Sequence, residues 1–212
     1  MTTTSRSMMT DAPGRPTMAS RSYVFVVVTA LMLTSVGVRT SDGTQDQDVR
    51  VDERGGLYTV TAAFSVSASP AIVVATLTDY EEIPVFMPDV RSSHIIERGE
   101  GGRVVVRQEA VAKVLLFSRR VHLELEIDER PGLITFRDRS GVSFVRYEGR
   151  WHITADGETA RVRYELVAKP TASVPAFLIR RLLGSDARQT ILLLTSEMVR
   201  RAMDSGEGAA RR

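Results

Sequence analysis

Residues 77–90 read LTDYEEIPVFMPDV, and no other stretch constrains the fold as tightly. Two prolines bracket its apolar trio, Val85, Phe86 and Met87. Because proline lacks a backbone N–H and restricts the residue before it, a regular helix cannot run through the stretch. The pattern predicts apolar side chains on a short, constrained turn, which suits a lid over an apolar cavity better than a catalytic loop. We call residues 77–90 the gate segment.

The chain before the gate segment predicts one strand and one short helix. Apolar and small polar residues alternate from Tyr58 to Ala68, as in a half-buried strand. Ser69 is placed to cap a helix whose first position is Pro70, and this helix is expected to reach Leu77. The apolar face of the predicted strand consists of Tyr58, Val60, Ala62, Phe64 and Val66.

The chain after the gate segment predicts further alternating strands separated by turn residues. In the third of them Val121, Leu123, Leu125 and Ile127 share the face that is expected to be dry. These strands are predicted at residues 90–97, 104–112, 115–128, 133–139, 142–154 and 160–168.

A long helix is predicted at the C-terminal end, because the apolar period changes after Pro170. Ser173 can cap a helix that runs from Pro175 toward Met203, and the Gly184–Asp186 stretch is a weak point at which it can break. About seven strands with one dry face need a cover, which only this helix can supply. We therefore expect an α+β fold in which a curved antiparallel sheet grips the helix and leaves a cavity. The expected apolar helix positions are Phe177, Leu178, Leu182, Leu192, Met198, Val199 and Met203.

The N-terminal region carries an export-like pattern. An apolar run at residues 23–38 follows an arginine-bearing segment, which predicts a signal peptide or membrane anchor over residues 1–40. The protein is then expected in the periplasm or cell envelope. Residues 41–55 are interpreted as a polar linker, residues 57–206 as the ligand-binding domain and residues 207–212 as a disordered tail.

Composition excludes several classes of function. The chain has 43% apolar and 25% charged residues, as in a soluble globular protein, and it has no cysteine, which excludes disulfides and thiolate metal sites. Beyond residue 40 there are 24 basic and 25 acidic residues, a net charge of −1. A basic nucleic-acid-binding surface is therefore not indicated.

Several short motifs and the order of the predicted elements point to one family. The motifs are LTDY at 77–80, IP at 83–84, FMP at 86–88, GRW at 149–151, Tyr164, Pro170 and VPAFL at 174–178. Over roughly residues 57–206 the chain resembles the START-like (SRPBCC) helix-grip superfamily, and within it the polyketide cyclase/dehydrase and lipid transport family with its coenzyme Q-binding COQ10 group. The resemblance implies a hydrophobic ligand, such as a quinone, lipid or polyaromatic compound, between sheet and helix.

The common catalytic templates are absent from the sequence. His122, Glu124, Glu126 and Asp128 lie on one strand face and could hold a metal, but a solvated strand face explains them better. His94 and His152 have no positioned partner that would make either a general base. We therefore predict no catalytic residue, no metal and no cofactor.

Two sets of polar residues could orient a ligand. Asp138 has the parity of the inward positions Ile134 and Phe136. In the 103–113 strand, either Arg107 and Glu109 or Gln108 points inward, and both options stay open.

The sequence thus predicts noncovalent binding or transport of a lipid or isoprenoid quinone. The alternative is a polyketide cyclase/dehydratase-like enzyme that uses Asp138, or Arg107 and Glu109, in the same cavity. The predicted ligand-binding residues are Tyr80, Phe86, Met87, Phe136, Asp138, Tyr147, Trp151, Phe177, Leu178 and Leu182.

Overall fold

The structure, a computed structural model, describes residues 48–114 and 117–210. The predicted signal peptide or anchor (1–40), the first part of the predicted linker (41–47) and the last two residues of the predicted tail lie outside the described residues. Within the described part, no helix is long and apolar enough to cross a membrane.

The described residues form one antiparallel sheet and three helices, which confirms the predicted α+β helix-grip architecture. The strand order is β1-β2-β8-β7-β6-β5-β4-β3. The strands are β1 Asp48–Arg54, β2 Leu57–Val66, β3 Val90–Arg98, β4 Arg103–Val114, β5 Phe117–Arg130, β6 Leu133–Asp138, β7 Phe144–Asp156 and β8 Thr159–Pro170. The helices are α1 Pro70–Leu77, α2 Ile83–Phe86 and α3 Ala176–Ala210.

Strand β1 lies within the stretch that was predicted to be a linker. It pairs with β2 through a turn at Gly55 and Gly56, both at positive φ, so the described sheet has eight strands rather than about seven. Val49 and Val51 pack against the core. These two valines are the apolar residues that alternate with charged ones in this strand. They are enough for an edge strand to pack one of its faces against the core.

Helices α1 and α2 form as the gate segment and its flanks predict. Ser69 caps α1, where its Oγ accepts a hydrogen bond from the Ile72 N–H at 3.4 Å, and Pro70 occupies the first turn. Helix α2 has only four residues and is followed by Met87 as its C-cap, so the helical excursion stops before Pro88.

Helix α3 runs without the predicted break at Gly184 and continues to Ala210, past its predicted end at Met203. Three residues expected on its apolar face, Phe177, Leu192 and Met203, are exposed. The run ILLL at 191–194 offers apolar groups in several directions, so the sequence period did not fix the helix rotation. The buried positions are Ile179, Leu183, Ala187, Ile191, Leu194 and Met198.

Candidate ligand-binding cavity

A cavity of about 260 Å³ lies between the inner face of the sheet and α3, with α1 and the gate segment also on its wall. Its lining is mainly apolar. From the sheet it includes Val121, Leu123, Leu125, Ile127, Ile134, Phe136, Phe144, Tyr147, Trp151, Tyr164 and Leu166, and from α3 Leu182, Leu183, Ala187 and Leu194.

The gate segment contributes Tyr80, Ile83 and Met87 to the lining. Tyr80 is buried, and its hydroxyl donates a hydrogen bond to Glu129 Oε1 at 2.8 Å. Burial, followed by the Glu129 carboxylate, raises the pKa of Tyr80 well above its usual range, so this hydroxyl keeps its proton. The bond fixes the α1–α2 connection to the end of β5.

A second attachment, which we call the Arg201 clasp, joins the gate segment to α3. Its residues are Asp79, Phe86, Glu197 and Arg201. The guanidinium of Arg201 lies 2.9 Å from Asp79 Oδ2 and 2.7 Å from Glu197 Oε1, and it sits over the Phe86 ring with 5.9 Å to the centroid. The ion pair between Arg201 and Asp79 thus links α3 to the gate segment.

Glu197 in the clasp is a strongly stabilised carboxylate. Hydrogen bonds, first from Arg200 and then from Arg201, lower the pKa of Glu197 to about 2 despite its burial. The charge of Arg201 is thereby balanced inside the protein.

An aromatic wall covers the β6–β8 part of the cavity. Trp151 stacks on Tyr164 with ring centroids 4.2 Å apart, and Tyr147 packs against Phe136 at 6.0 Å. Gly149 leaves room for the Phe136 ring, because a Cβ there would lie 2.5 Å from Phe136 Cζ. The glycine in the GRW motif is therefore a packing requirement.

Six of the ten predicted site residues line the cavity: Tyr80, Met87, Phe136, Tyr147, Trp151 and Leu182. Phe86 instead packs under Arg201 in the clasp. Phe177 is 69% exposed, and Leu178, one position further along α3, also lies outside the lining. Phe177 and Leu178 lie outside the cavity because α3 is rotated about its axis differently from the prediction.

Asp138 does not reach the cavity, contrary to its strand parity. Its carboxylate accepts hydrogen bonds from the backbone N–H of Glu124 at 2.9 Å and of Ser140 at 3.0 Å, and from the Ser140 hydroxyl at 3.0 Å. β6 ends at this residue, and the carboxylate stabilises the turn that follows.

The open alternative in β4 is resolved by the pairing of its side chains. Gln108 lines the cavity and donates to Ser93 Oγ at 3.1 Å. Arg107 lies on the outer face, 2.8 Å from Glu124, and Glu109 lies there 3.5 Å from His122 Nδ1. Neither Arg107 nor Glu109 is therefore available inside the cavity.

The outer face of the sheet has an open depression of about 1430 Å³ with a charged lining. Most of its carboxylates pair with arginines, as Glu126 does with Arg137 at 2.6 Å. Among the described residues no group of three or more His, Asp or Glu is placed to hold a metal ion. His94 and His152 are exposed.

The polar lining residues that sequence reasoning missed include Tyr164 on β8 and Asp186 and Thr190 on α3. Asp186 and Thr190 follow Leu182 at intervals of four residues, so the correct placement of Leu182 already implied the same helix face for both. Burial, with the charge of Asp89 second, raises the pKa of Asp186. Burial also raises the pKa of Tyr147 and of Tyr164.

Comparison with known families adds a direct assignment. The family described as "Polyketide cyclase / dehydrase and lipid transport" matches residues 58–199. The chain belongs to this family. Its members share folds suited to hydrophobic ligands, in agreement with the apolar cavity. A search of curated proteins found no match.

Solved structures of low sequence identity share the fold. A protein from Thermus thermophilus is 24% identical, with 68% of this chain and 99% of that chain covered and a TM-score of 0.59. A START superfamily protein from Mycobacterium smegmatis is 19% identical, with 67% and 97% covered and a TM-score of 0.58. An aromatase/cyclase from a Streptomyces species is 17% identical, with 68% and 95% covered and a TM-score of 0.59.

Proposed function

We propose that this protein binds a hydrophobic small molecule, a lipid or an isoprenoid quinone, noncovalently in the cavity between the sheet and α3 and carries it. The observation that supports this most is the apolar lining of an interior space that the protein's own side chains leave unfilled. Removal of apolar ligand surface from water supplies the driving force, about 25 cal/mol per Å².

The placement of the acid/base residues predicted from the sequence favours a carrier over a cyclase/dehydratase-like enzyme. Acid/base catalysis needs groups that converge on the substrate. The candidates for that role do not converge: Asp138 is bound to the turn after β6, and Arg107 and Glu109 lie on the outer face. A fold shared with an aromatase/cyclase does not by itself transfer that activity.

Ligand passage is expected at the gate segment. Met87 and Ile83 lie between the cavity and the surface, and the segment is held by the Tyr80–Glu129 hydrogen bond and the Arg201 clasp. These few polar attachments can break and reform without disturbing the sheet.

Native mass spectrometry of the protein purified from its own host tests the proposal. We expect an apolar small molecule to be released from the wild-type protein. The variant Ala110→Phe, which places an aromatic ring in the cavity from β4, should carry much less of it while remaining folded. Equal recovery from both proteins, or no apolar molecule from the wild type, would contradict the proposal.

We also propose that the apolar run at residues 23–38 directs export, with or without retention as a membrane anchor. Cell fractionation with N-terminal sequencing tests this. A cytoplasmic protein with an intact N-terminus would refute it.

A further inference from the structure

The charged residues of the cavity lining are all acidic among the described residues. The described residues that line it include no Lys, Arg or His, but they include two carboxylates, Asp89 and Asp186. Asp89 has a counterion, because Lys113 Nζ lies 2.6 Å from its Oδ1. Asp186 has neither a hydrogen bond nor an ion pair with any residue that the structure describes.

Asp186 is oriented toward the cavity by the helix that carries it. It lies on α3 one turn from Leu182 and one turn from Thr190, both of which also line the cavity. The side chain of Asp186 is exposed to solvent, and the protein around it raises the pKa of its carboxyl group. The exposed carboxylate therefore lies at the mouth of the cavity, where it is part of the lining.

Two tyrosine hydroxyls belong to the same polar region. Tyr147 and Tyr164 line the cavity, and the charge of Asp186 contributes to the raised pKa of both. Neither hydroxyl bonds to another side chain within the described ranges. Burial keeps both protonated, so each can donate and accept a hydrogen bond. The mainly apolar cavity thus has an acceptor-rich polar region formed by Asp186, Tyr147 and Tyr164.

This polar region discriminates among ligand head groups. A carboxylate or phosphate head would lie near Asp186, and no Lys, Arg or His among the described lining residues balances the two like charges, which is unfavourable. An ammonium head would lose part of its hydration in a mainly apolar space, and one exposed carboxylate offsets this cost only in part. An uncharged hydroxyl can donate to Asp186 and accept from a tyrosine, with no buried charge added.

We propose that Asp186, with Tyr147 and Tyr164, selects uncharged amphiphiles that carry a hydroxyl group and rejects anionic lipids. The inference rests on the proposed function, because it names the ligand class of the same cavity. Asp186 is on this view the residue that determines specificity.

Displacement of the neutral dye Nile red by 1-decanol and by decanoate tests the inference, since the two probes differ only in the head group. We expect the wild-type protein to bind 1-decanol at least about tenfold more tightly than decanoate. Asp186→Asn should narrow this ratio to about threefold or less, by weakening 1-decanol binding and admitting decanoate. The control Asp204→Asn removes a carboxylate from the same helix outside the cavity and should keep the wild-type ratio.

A second variant covers the case in which Asp186→Asn fails to fold. Tyr147→Phe removes one hydroxyl and should weaken 1-decanol binding severalfold while leaving decanoate binding unchanged. An unchanged ratio in Asp186→Asn, an equal effect of Tyr147→Phe on both probes, or a wild-type preference for decanoate would overturn the inference. If Nile red binds but the ratio of 1-decanol to decanoate affinity does not change in the variants, only this inference fails. If the wild-type protein binds no Nile red and releases no apolar molecule from its host, the proposed function fails.

Discussion

The two faces of the sheet treat charge in opposite ways. On the outer face carboxylates pair with arginines, as in the pairs Arg107–Glu124 and Arg137–Glu126. The inner face is mainly apolar, and Asp186, which lines the cavity beneath it, has no such partner in the described part of the chain. Exposed pairs contribute little to stability, typically below about 1 kcal/mol. The paired charges therefore lie on the solvent side of the sheet, whereas Asp186, without an ion-pair partner among the described residues, lines the cavity.

A charged residue introduced on the inner face should destabilise the fold more than any other change considered below. Val106 of β4 is fully buried, so Val106→Asp is expected to lower the free energy of unfolding by more than about 4 kcal/mol. Urea denaturation measures the loss. The neighbouring outer-face change Arg107→Ala should cost less than about 1 kcal/mol. Similar losses for the two variants would mean that the faces do not differ as described.

The packing of the inner face is tested at Gly149. In Gly149→Ala the new Cβ overlaps Phe136 and the backbone of Glu165, so we expect a loss of about 3 kcal/mol, at the upper end for overpacking. Thermal unfolding gives the change. Gly184→Ala on α3 is the control, because its Cβ would make ordinary contacts with Arg188 Nη1 at 3.4 Å and Val51 Cγ2 at 3.5 Å. This variant should be more stable than the wild type by up to about 1 kcal/mol. Stabilisation in both variants would contradict the packing described for the aromatic wall.

Arg200 and Arg201 are adjacent on α3. Substituting each in turn compares an arginine that links two elements, Arg201, with one that lies on the surface, Arg200. Arg201→Ala removes the link to Asp79 and the contact with Phe86, and it is expected to cost about 2 kcal/mol. Arg200 pairs only along its own helix and is exposed, so Arg200→Ala should cost clearly less. Chemical denaturation of both variants decides between them. An equal cost would show that the clasp does not hold the gate segment.

The last prediction concerns the stability of the fold at acidic pH. The pKa of Glu197 is lowered to about 2 in the folded protein, so its ionised form stabilises the fold above the unfolded value of about 4.5. That contribution is lost as the pH falls from about 4.5 toward 2. Glu197→Gln should therefore show a weaker decline of stability than the wild type over this range, as measured by urea denaturation at several pH values. Parallel declines would contradict the assignment.

Much of the fold followed from the sequence because alternation and caps are local signals. Ser69, Pro70 and the proline-bracketed gate segment determine α1 and α2 through their own backbone restrictions. Strand β1 was missed, since two valines among charges resemble a polar linker until a neighbouring strand pairs with them.

The site was less predictable because it depends on the relative rotation of elements. Phe177 was assigned to the cavity and Asp186 to a helix break, but packing rotates α3 so that Phe177 meets solvent and Asp186 meets the cavity. Asp138 shows the complementary case, in which a local turn captures a carboxylate that strand parity directs inward.

Whether the interior binds apolar molecules is decided by a Nile red titration of the wild-type protein and of Ala110→Phe, with the fluorescence of the single tryptophan, Trp151, as a second signal from the cavity wall. We expect saturable binding and a Trp151 response in the wild type, and at least about tenfold weaker binding by the equally folded variant. No binding by the wild type, or equal binding by both proteins, would contradict a ligand-binding cavity between the sheet and α3.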